Sequence, residues 1–265
     1  MATIRVISLF MLIIVSFTLG QDQLSEMFDG FEGTIVIYEA KADRYTVVNE
    51  ERARIQYSPF STYKIPNSII ALETGVVSDT GQIVEWDQKK YPAEAWWPAS
   101  WKDKHNLRSA IKYSVVPFYR HLASQIGAER MGQYVKAFYY GNQNISSGID
   151  SFWLNGSLKI SAYEQITFLR KFYSGQLGIS SGTIQMVKSI LVQEATDVYT
   201  LSAKTGGGYL DENQSRALGW FVGYVEKGDN VYYFALNIEG KSFSEIQQPR
   251  IEITKRILRK AGILQ

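Results

Sequence analysis

Apolar and polar positions change period along the chain, and the changes mark its elements. Thr34-Ile35-Val36-Ile37-Tyr38 is a compact β-rich run, and Asp43-Arg44-Tyr45-Thr46-Val47-Val48 is a second. The short polar link around Lys41-Ala42 predicts an antiparallel pair. Ile65 to Leu72 is apolar with helical spacing, and Gly75 stands where a helix C-cap glycine is expected. Val76 to Leu107 has no period. There Trp86, Trp96, Trp97 and Trp101 are scattered among prolines and charges, which predicts a long loop with aromatic plugs.

Helices are predicted over Leu107–Tyr113, Pro117–Ile126 and Ala128–Phe138, with Gly127 separating the last two. Ser161 and Glu164 form a capping-box pattern that opens a helix to Phe172. Gly182–Glu194 is a further helical stretch. Tyr199–Lys204, Ala217–Glu226 and Val231–Ile238 return to strand, and Lys227-Gly228-Asp229-Asn230 is a hairpin turn between the last two. Pro249–Ala261 is an amphipathic closing helix. Two early strands and three late ones predict an α+β fold. Its antiparallel sheet of about five strands draws on both termini, is flanked by helices, and faces a helical lobe across a cleft.

Residues 1–20 read as an export signal: Arg5 gives a positive start, Val6 to Phe17 an apolar stretch, and Thr18 and Gly20 small residues for cleavage before Gln21. The alternative is a single membrane anchor, but the run is short for a span. The expectation is a signal peptide, then one domain over 21–265 with no stable membrane span after cleavage. Such a protein is secreted, and periplasmic in a Gram-negative host.

Composition narrows the chemistry. A net charge of +2 over 265 residues gives no nucleic-acid footprint. With no cysteine there is no thiol nucleophile, disulfide or thiolate metal site. The two histidines, His105 and His121, lack metal-ligand spacing, so no metal is expected. Neither accompanies a Gly-x-Ser-x-Gly elbow. Nothing in the pattern specifies an oligomeric state.

Attention therefore falls on Ser61-Thr62-Tyr63-Lys64. Serine and lysine three apart share one helix face, and the helix N-terminus offers free N–H groups beside the serine. Serine needs a base to become a nucleophile. Lysine supplies one only when burial keeps it neutral or when it is chemically altered. The bland alternative is an N-cap serine with a solvated lysine. Pro66 fits a helix here only if the first turn is short or 3₁₀-like.

Downstream come Ser114-Val115-Val116, Tyr140-Gly141-Asn142, Phe152-Trp153-Leu154 and Lys204-Thr205-Gly206, followed by Gly207 and Gly208. In this order the set resembles the serine β-lactamases and penicillin-binding proteins, most closely the class D (oxacillinase-type) β-lactamases, over essentially the whole mature chain. The resemblance implies hydrolysis of penicillins and oxacillin-type β-lactams through an acyl-enzyme on Ser61. The backbone N–H groups of Ser61 and Gly207 would hold the oxyanion, with Gly206 and Gly207 permitting close approach. Ser114 would relay a proton, Lys204 would polarise it, and Thr205 and Arg250 would bind the substrate carboxylate. It further implies that CO₂ or bicarbonate carboxylates Lys64 and that no other cofactor is needed. Val116, Trp153 and Leu154 would support the carbamate, with the Trp153 N–H as donor.

Relatives of other classes carry Asn where this chain has Val116, and class A enzymes use a Glu-x-x-Leu-Asn glutamate that is missing here. Tyr63 stands where many class D enzymes have Phe. Membrane β-lactam sensors of this fold also have Tyr there. A sensor or covalent binder without turnover is thus the alternative function, and a penicillin-binding peptidase the third.

Overall fold

The computed structural model describes residues 24–265; the predicted export signal lies outside the described residues. Strands β1 (Gly33–Glu39), β2 (Arg44–Val48), β3 (Val192–Ala195), β4 (Tyr199–Tyr209), β5 (Ala217–Lys227) and β6 (Asn230–Gly240) form one sheet in the order β2-β1-β6-β5-β4-β3. Every pairing is antiparallel. The β1–β6 pair joins the two ends of the chain, with Val36 opposite Ala235.

The helices are α1 (Glu50–Arg54), α2 (Lys64–Glu73), α3 (Leu107–Lys112), α4 (Val116–Ile126), α5 (Ala128–Ala137), α6 (Ala162–Tyr173), α7 (Ser181–Leu191), α8 (Phe243–Gln247) and α9 (Pro249–Lys260). Alternation along the strands feeds two cores. Val36, Trp220, Val222 and Ala235 face the middle helices, with Ile69, Phe118, Ile166 and Val187 in the same cluster. Ile35, Phe221, Phe234 and Leu236 face the other way, packing with Ile253, Ile257 and Leu258 of α9. Covered on both faces, β5 is buried from Ala217 to Val225; hence its nearly unbroken apolar run.

The expected antiparallel sheet of about five strands is present, with six, and two element bounds need correction. The additional strand is β3, and the helix predicted over Gly182–Glu194 ends at Leu191. Val192 and the residues after it instead pair with the edge of β4, through a register shift between Val192 and Glu194. The strand predicted over Tyr199–Lys204 continues to Tyr209, because Thr205 to Tyr209 keep pairing with β5.

Helix α1 had no apolar period to announce it. Asn49 caps it, and buried Arg52 anchors it by donating to Asn237 Oδ1 at 2.8 Å, Glu32 Oε1 at 2.7 Å and Glu239 Oε1 at 2.8 Å. The capping box at Ser161 and Glu164 is present, with both reciprocal bonds made.

Candidate active site

A 3₁₀ turn over Phe60–Tyr63 runs directly into α2 at Lys64. The tighter turn brings Pro66 into the first turn of the α-helix, where its missing N–H costs nothing. Ser61 and Lys64 fall across the junction, and Lys64 Nζ donates to Ser61 Oγ at 2.7 Å. Phe60 holds φ +49° and Ser114 φ +57°. Left-handed backbone is uncommon for a bulky residue and persists only where the surroundings enforce it. For Phe60 the enforcement is visible: its N–H donates to Trp153 O at 3.0 Å, and its ring lies against Gly208.

The glycines of β4 are explained by that same approach. A Cβ on Gly206 would stand 2.7 Å from Pro59 O and 2.9 Å from Thr62 Cγ2; one on Gly208 would meet the Phe60 ring at 2.4 Å. Only bare backbone lets the strand lie beside the Ser61 turn.

Ser61, Ser114, Val116, Thr205, Gly206, Gly207 and Arg250 line a single cavity of about 500 Å³. Trp96, Pro98, Trp101, Tyr113, Phe243 and Gln247 complete its walls. Arg250, buried at the start of α9, donates through Nη1 to Gly206 O at 2.7 Å, while its Nε has no partner among the described residues. Burial holds its guanidinium down to about 10. Lys204 Nζ donates to Thr205 O at 2.9 Å and Thr205 Oγ1 at 3.2 Å. Ser114, two residues before the start of α4, is among the residues that line the cavity.

Lys64 is completely buried. Burial, and secondarily the charge of Lys204, push its ammonium well below the ordinary lysine range. Beneath it lies an aromatic bed. Nζ stands 5.4 Å from the centre of the Tyr119 ring, and the Tyr119 hydroxyl shares a 2.9 Å hydrogen bond with Ser68 Oγ, which donates to Lys64 O at 2.8 Å. Tyr63 stacks on Trp153 with ring centres 5.5 Å apart, and Phe152 packs edge-on to both. The indole Nε1 of Trp153 is buried with no acceptor among the described residues. Leu154 lines a second space of about 250 Å³ with Val116, Trp96, Trp97, Trp101 and Arg120.

Tyr119 was not singled out in the sequence. The available signal was its position, one helical turn after Val116 on the same face. Phe243 had none, because it reaches the cavity from a five-residue helix. The histidines stand apart from this chemistry. His105 is buried, bonded to Ser109 Oγ at 3.0 Å and Ser100 O at 2.7 Å. His121 accepts from the Asp87 N–H. Gly141, at φ +53°, has Lys159 O 2.0 Å from where a Cβ would be, and Asn142 Nδ2 donates to Ser157 O at 2.9 Å. The Tyr-Gly-Asn motif therefore folds a loop rather than lining the cavity.

Residues 30–261 match the family described as the penicillin binding protein transpeptidase domain. The chain is 42% identical to Beta-lactamase OXA-48 of Klebsiella pneumoniae, over 88% of this chain and 84% of that protein. It is 33% identical to the methicillin resistance mecR1 protein of Staphylococcus aureus over 92% of this chain, but only 40% of that longer protein. The solved class D β-lactamase YbXI from Nostoc superposes with a TM-score of 0.84 at 38% identity, covering 91% of this chain and 99% of that one. The nucleophile turn, the glycine-lined strand beside it and these likenesses agree, and the chain belongs to the class D serine β-lactamases of the penicillin-binding protein transpeptidase family.

Proposed function

We propose that the protein hydrolyses β-lactams, penicillins and oxacillin-type compounds among them, through an acyl-enzyme on Ser61. The observation that carries this is the 2.7 Å contact between Ser61 Oγ and the fully buried Lys64 Nζ. A carbamate on Lys64, formed from an amine that burial keeps neutral, would accept the serine proton as the hydroxyl attacks the lactam carbonyl. The N–H groups of Ser61 and Gly207 receive the developing oxyanion. Ser114 passes a proton to the departing lactam nitrogen, with Lys204 as the nearby cation. Thr205 and Arg250 hold the substrate carboxylate, for which a guanidinium is well shaped.

Deacylation needs a base for water. A neutral amine combines with CO₂ to give a carbamate and a proton, and that carbamate on Lys64 would supply a base of suitable strength. The residues present fit the group. The anion requires donors in a dry pocket, and the buried Trp153 Nε1 has none of its bonding satisfied by described residues. Val116 and Leu154 would keep water from it.

A covalent binder without turnover is the second reading. It is favoured by Tyr63, since membrane β-lactam sensors of this fold also have Tyr at that position. Reaction with nitrocefin separates the two: hydrolysis predicts sustained steady-state turnover, and a single stoichiometric burst would establish the binder. We also propose that residues 1–20 direct export, to the periplasm in a Gram-negative host. Among the described residues no helix is long and apolar enough to cross a membrane. Amino-terminal sequencing of the exported protein should begin at Gln21, and an intact Met1 would refute the cleavage.

A further inference from the structure

The two walls proposed to shelter Lys64 belong to different segments. Val116 and Tyr119 stand on α4; Trp153 and Leu154 stand on the loop after Gly148. One polar cluster ties these segments together. Asp150 Oδ2 accepts from Arg120 Nη2 at 3.2 Å and from the Tyr91 hydroxyl at 2.8 Å. Arg120 lies one turn beyond Val116 on α4. Asp150 leads into Trp153 through turns closed by Phe152 N–H to Gly148 O at 2.9 Å and Leu154 N–H to Ser151 O at 2.8 Å.

Tyr91 brings in the third segment, the tryptophan-rich loop. It is buried, its hydroxyl shares a 2.9 Å bond with Ser124 Oγ on α4, and its ring lies 4.6 Å beneath the Arg120 guanidinium. Burial would raise the Asp150 carboxyl, but the Tyr91 hydroxyl and the charges of Arg120 and Lys90 outweigh it and hold the group below its ordinary value. The Arg120 and Asp150 side chains are 36% and 19% exposed, so the pair is sheltered more than a surface ion pair.

We propose that Asp150, through Arg120 and Tyr91, is a positioning residue that fixes the gap between Val116 and Leu154 and so keeps the Lys64 pocket dry. Arg120, Val116 and Leu154 already share the wall of the smaller space. Releasing the tether lets that wall open. Water then reaches Lys64, its ammonium form gains, and the carbamate is lost. The acylating geometry at Ser61 belongs to the separate turn over Phe60–Tyr63 and is left in place.

This inference rests on the carbamate reading, and the experiment separates their failures. Wild type, Asp150→Asn, Asp150→Glu and Tyr91→Phe are assayed in CO₂-depleted buffer with graded bicarbonate. Burst amplitude, steady-state turnover, the ¹³C carbamate signal and thermal unfolding are recorded for each. Asp150→Asn should raise the bicarbonate needed for half-maximal turnover roughly tenfold, the scale of losing an outer-shell partner. Its burst amplitude should stay unchanged, and saturating bicarbonate should restore turnover. Tyr91→Phe, which removes the hydroxyl's bonds to Asp150 and Ser124 and opens no cavity, should shift the requirement in the same direction by less, and Asp150→Glu should recover part of it. A lowered unfolding temperature with an unchanged bicarbonate response in both Asp150→Asn and Tyr91→Phe would overturn the tether. If Asp150→Asn does not fold, Tyr91→Phe alone decides. A wild type indifferent to bicarbonate and lacking the carbamate signal would overturn the carbamate reading, and the tether's role with it.

Discussion

The cavity has two sides, each with a buried lysine, and the lysines are treated differently. On the strand side, Lys204 Nζ finds two oxygens of Thr205, and Arg250 finds the Gly206 carbonyl. Burial, with Arg250 adding to it, brings Lys204 down to about 7. On the helix side, Lys64 has one hydroxyl, Ser61 Oγ, and an aromatic face as neighbours. Its ammonium is pushed well down, by burial first and then by Lys204. The same residue type thus serves opposite ends. Burial and Arg250 leave Lys204 divided between cation and amine near neutral pH, whereas burial beside Lys204 favours the amine at Lys64.

The comparison breaks most completely at the nucleophile. Ser61→Ala should lower turnover by about 10⁴-fold or more, as removal of a serine nucleophile does, and no adduct should appear by mass spectrometry after penicillin exposure. An adduct of unchanged yield would place the nucleophile elsewhere.

The helix side is broken selectively at Trp153. With bulk and N–H removed, Trp153→Ala should acylate yet deacylate on the order of 10²-fold more slowly, the loss of a well-placed base. The acyl-enzyme should therefore accumulate. Unchanged steady-state turnover would make Trp153 ordinary core.

On the strand side, Arg250→Ala removes a charged donor from the wall. Loss of one charged hydrogen bond to the substrate should raise KM roughly tenfold to a hundredfold, with a smaller change in kcat. A reduced kcat at constant KM would mean that Arg250 acts in the chemical step and not in binding.

The smallest effect is on stability. Lys204 titrates at about 7 in the folded protein against an ordinary 10.5. Between those values the unfolded chain holds a proton that the folded one lacks, so stability should rise with pH, by at most about 1.4 kcal/mol per unit from this group. The rise should be visible as a higher unfolding midpoint at pH 9 than at pH 7.5 and should weaken in Lys204→Met. A midpoint with the same pH dependence in both proteins would remove Lys204 as its source.

Sequence periodicity located what is built by local rules. The Ser161 capping box, the hairpin at Lys227–Asn230 and the amphipathic α9 are each set by neighbouring residues. It missed what depends on distant ones. Helix α1 exists through Arg52 and its partners Glu32, Asn237 and Glu239. Strand β3 exists because β4 offers an edge. The extension of β4 past Lys204 is hidden by glycines, which weaken any strand reading but are required by the backbone of Pro59 and Thr62 and the ring of Phe60.

The candidate site divides the same way. Ser61 and Lys64 are legible from spacing along a helix, the cavity residues Ser114, Val116, Thr205, Gly206 and Gly207 from the order of short motifs, and Arg250 from its place at the start of the closing helix. Tyr119, Tyr91 and Asp150 were not legible. Each matters through a partner in another segment, and their neighbours in sequence say nothing of it.

The central claim is that the dry aromatic side turns Lys64 into a carbamate base. Its most direct test is ¹³C NMR of the protein equilibrated with ¹³C-bicarbonate, alongside turnover. The account predicts one carbamate resonance, lost in Lys64→Ala and on mild acidification, with activity falling at acidic pH and recovering when bicarbonate is added. Full activity in rigorously CO₂-free buffer, with no such resonance, would contradict it and leave the neutral amine of Lys64 as the base.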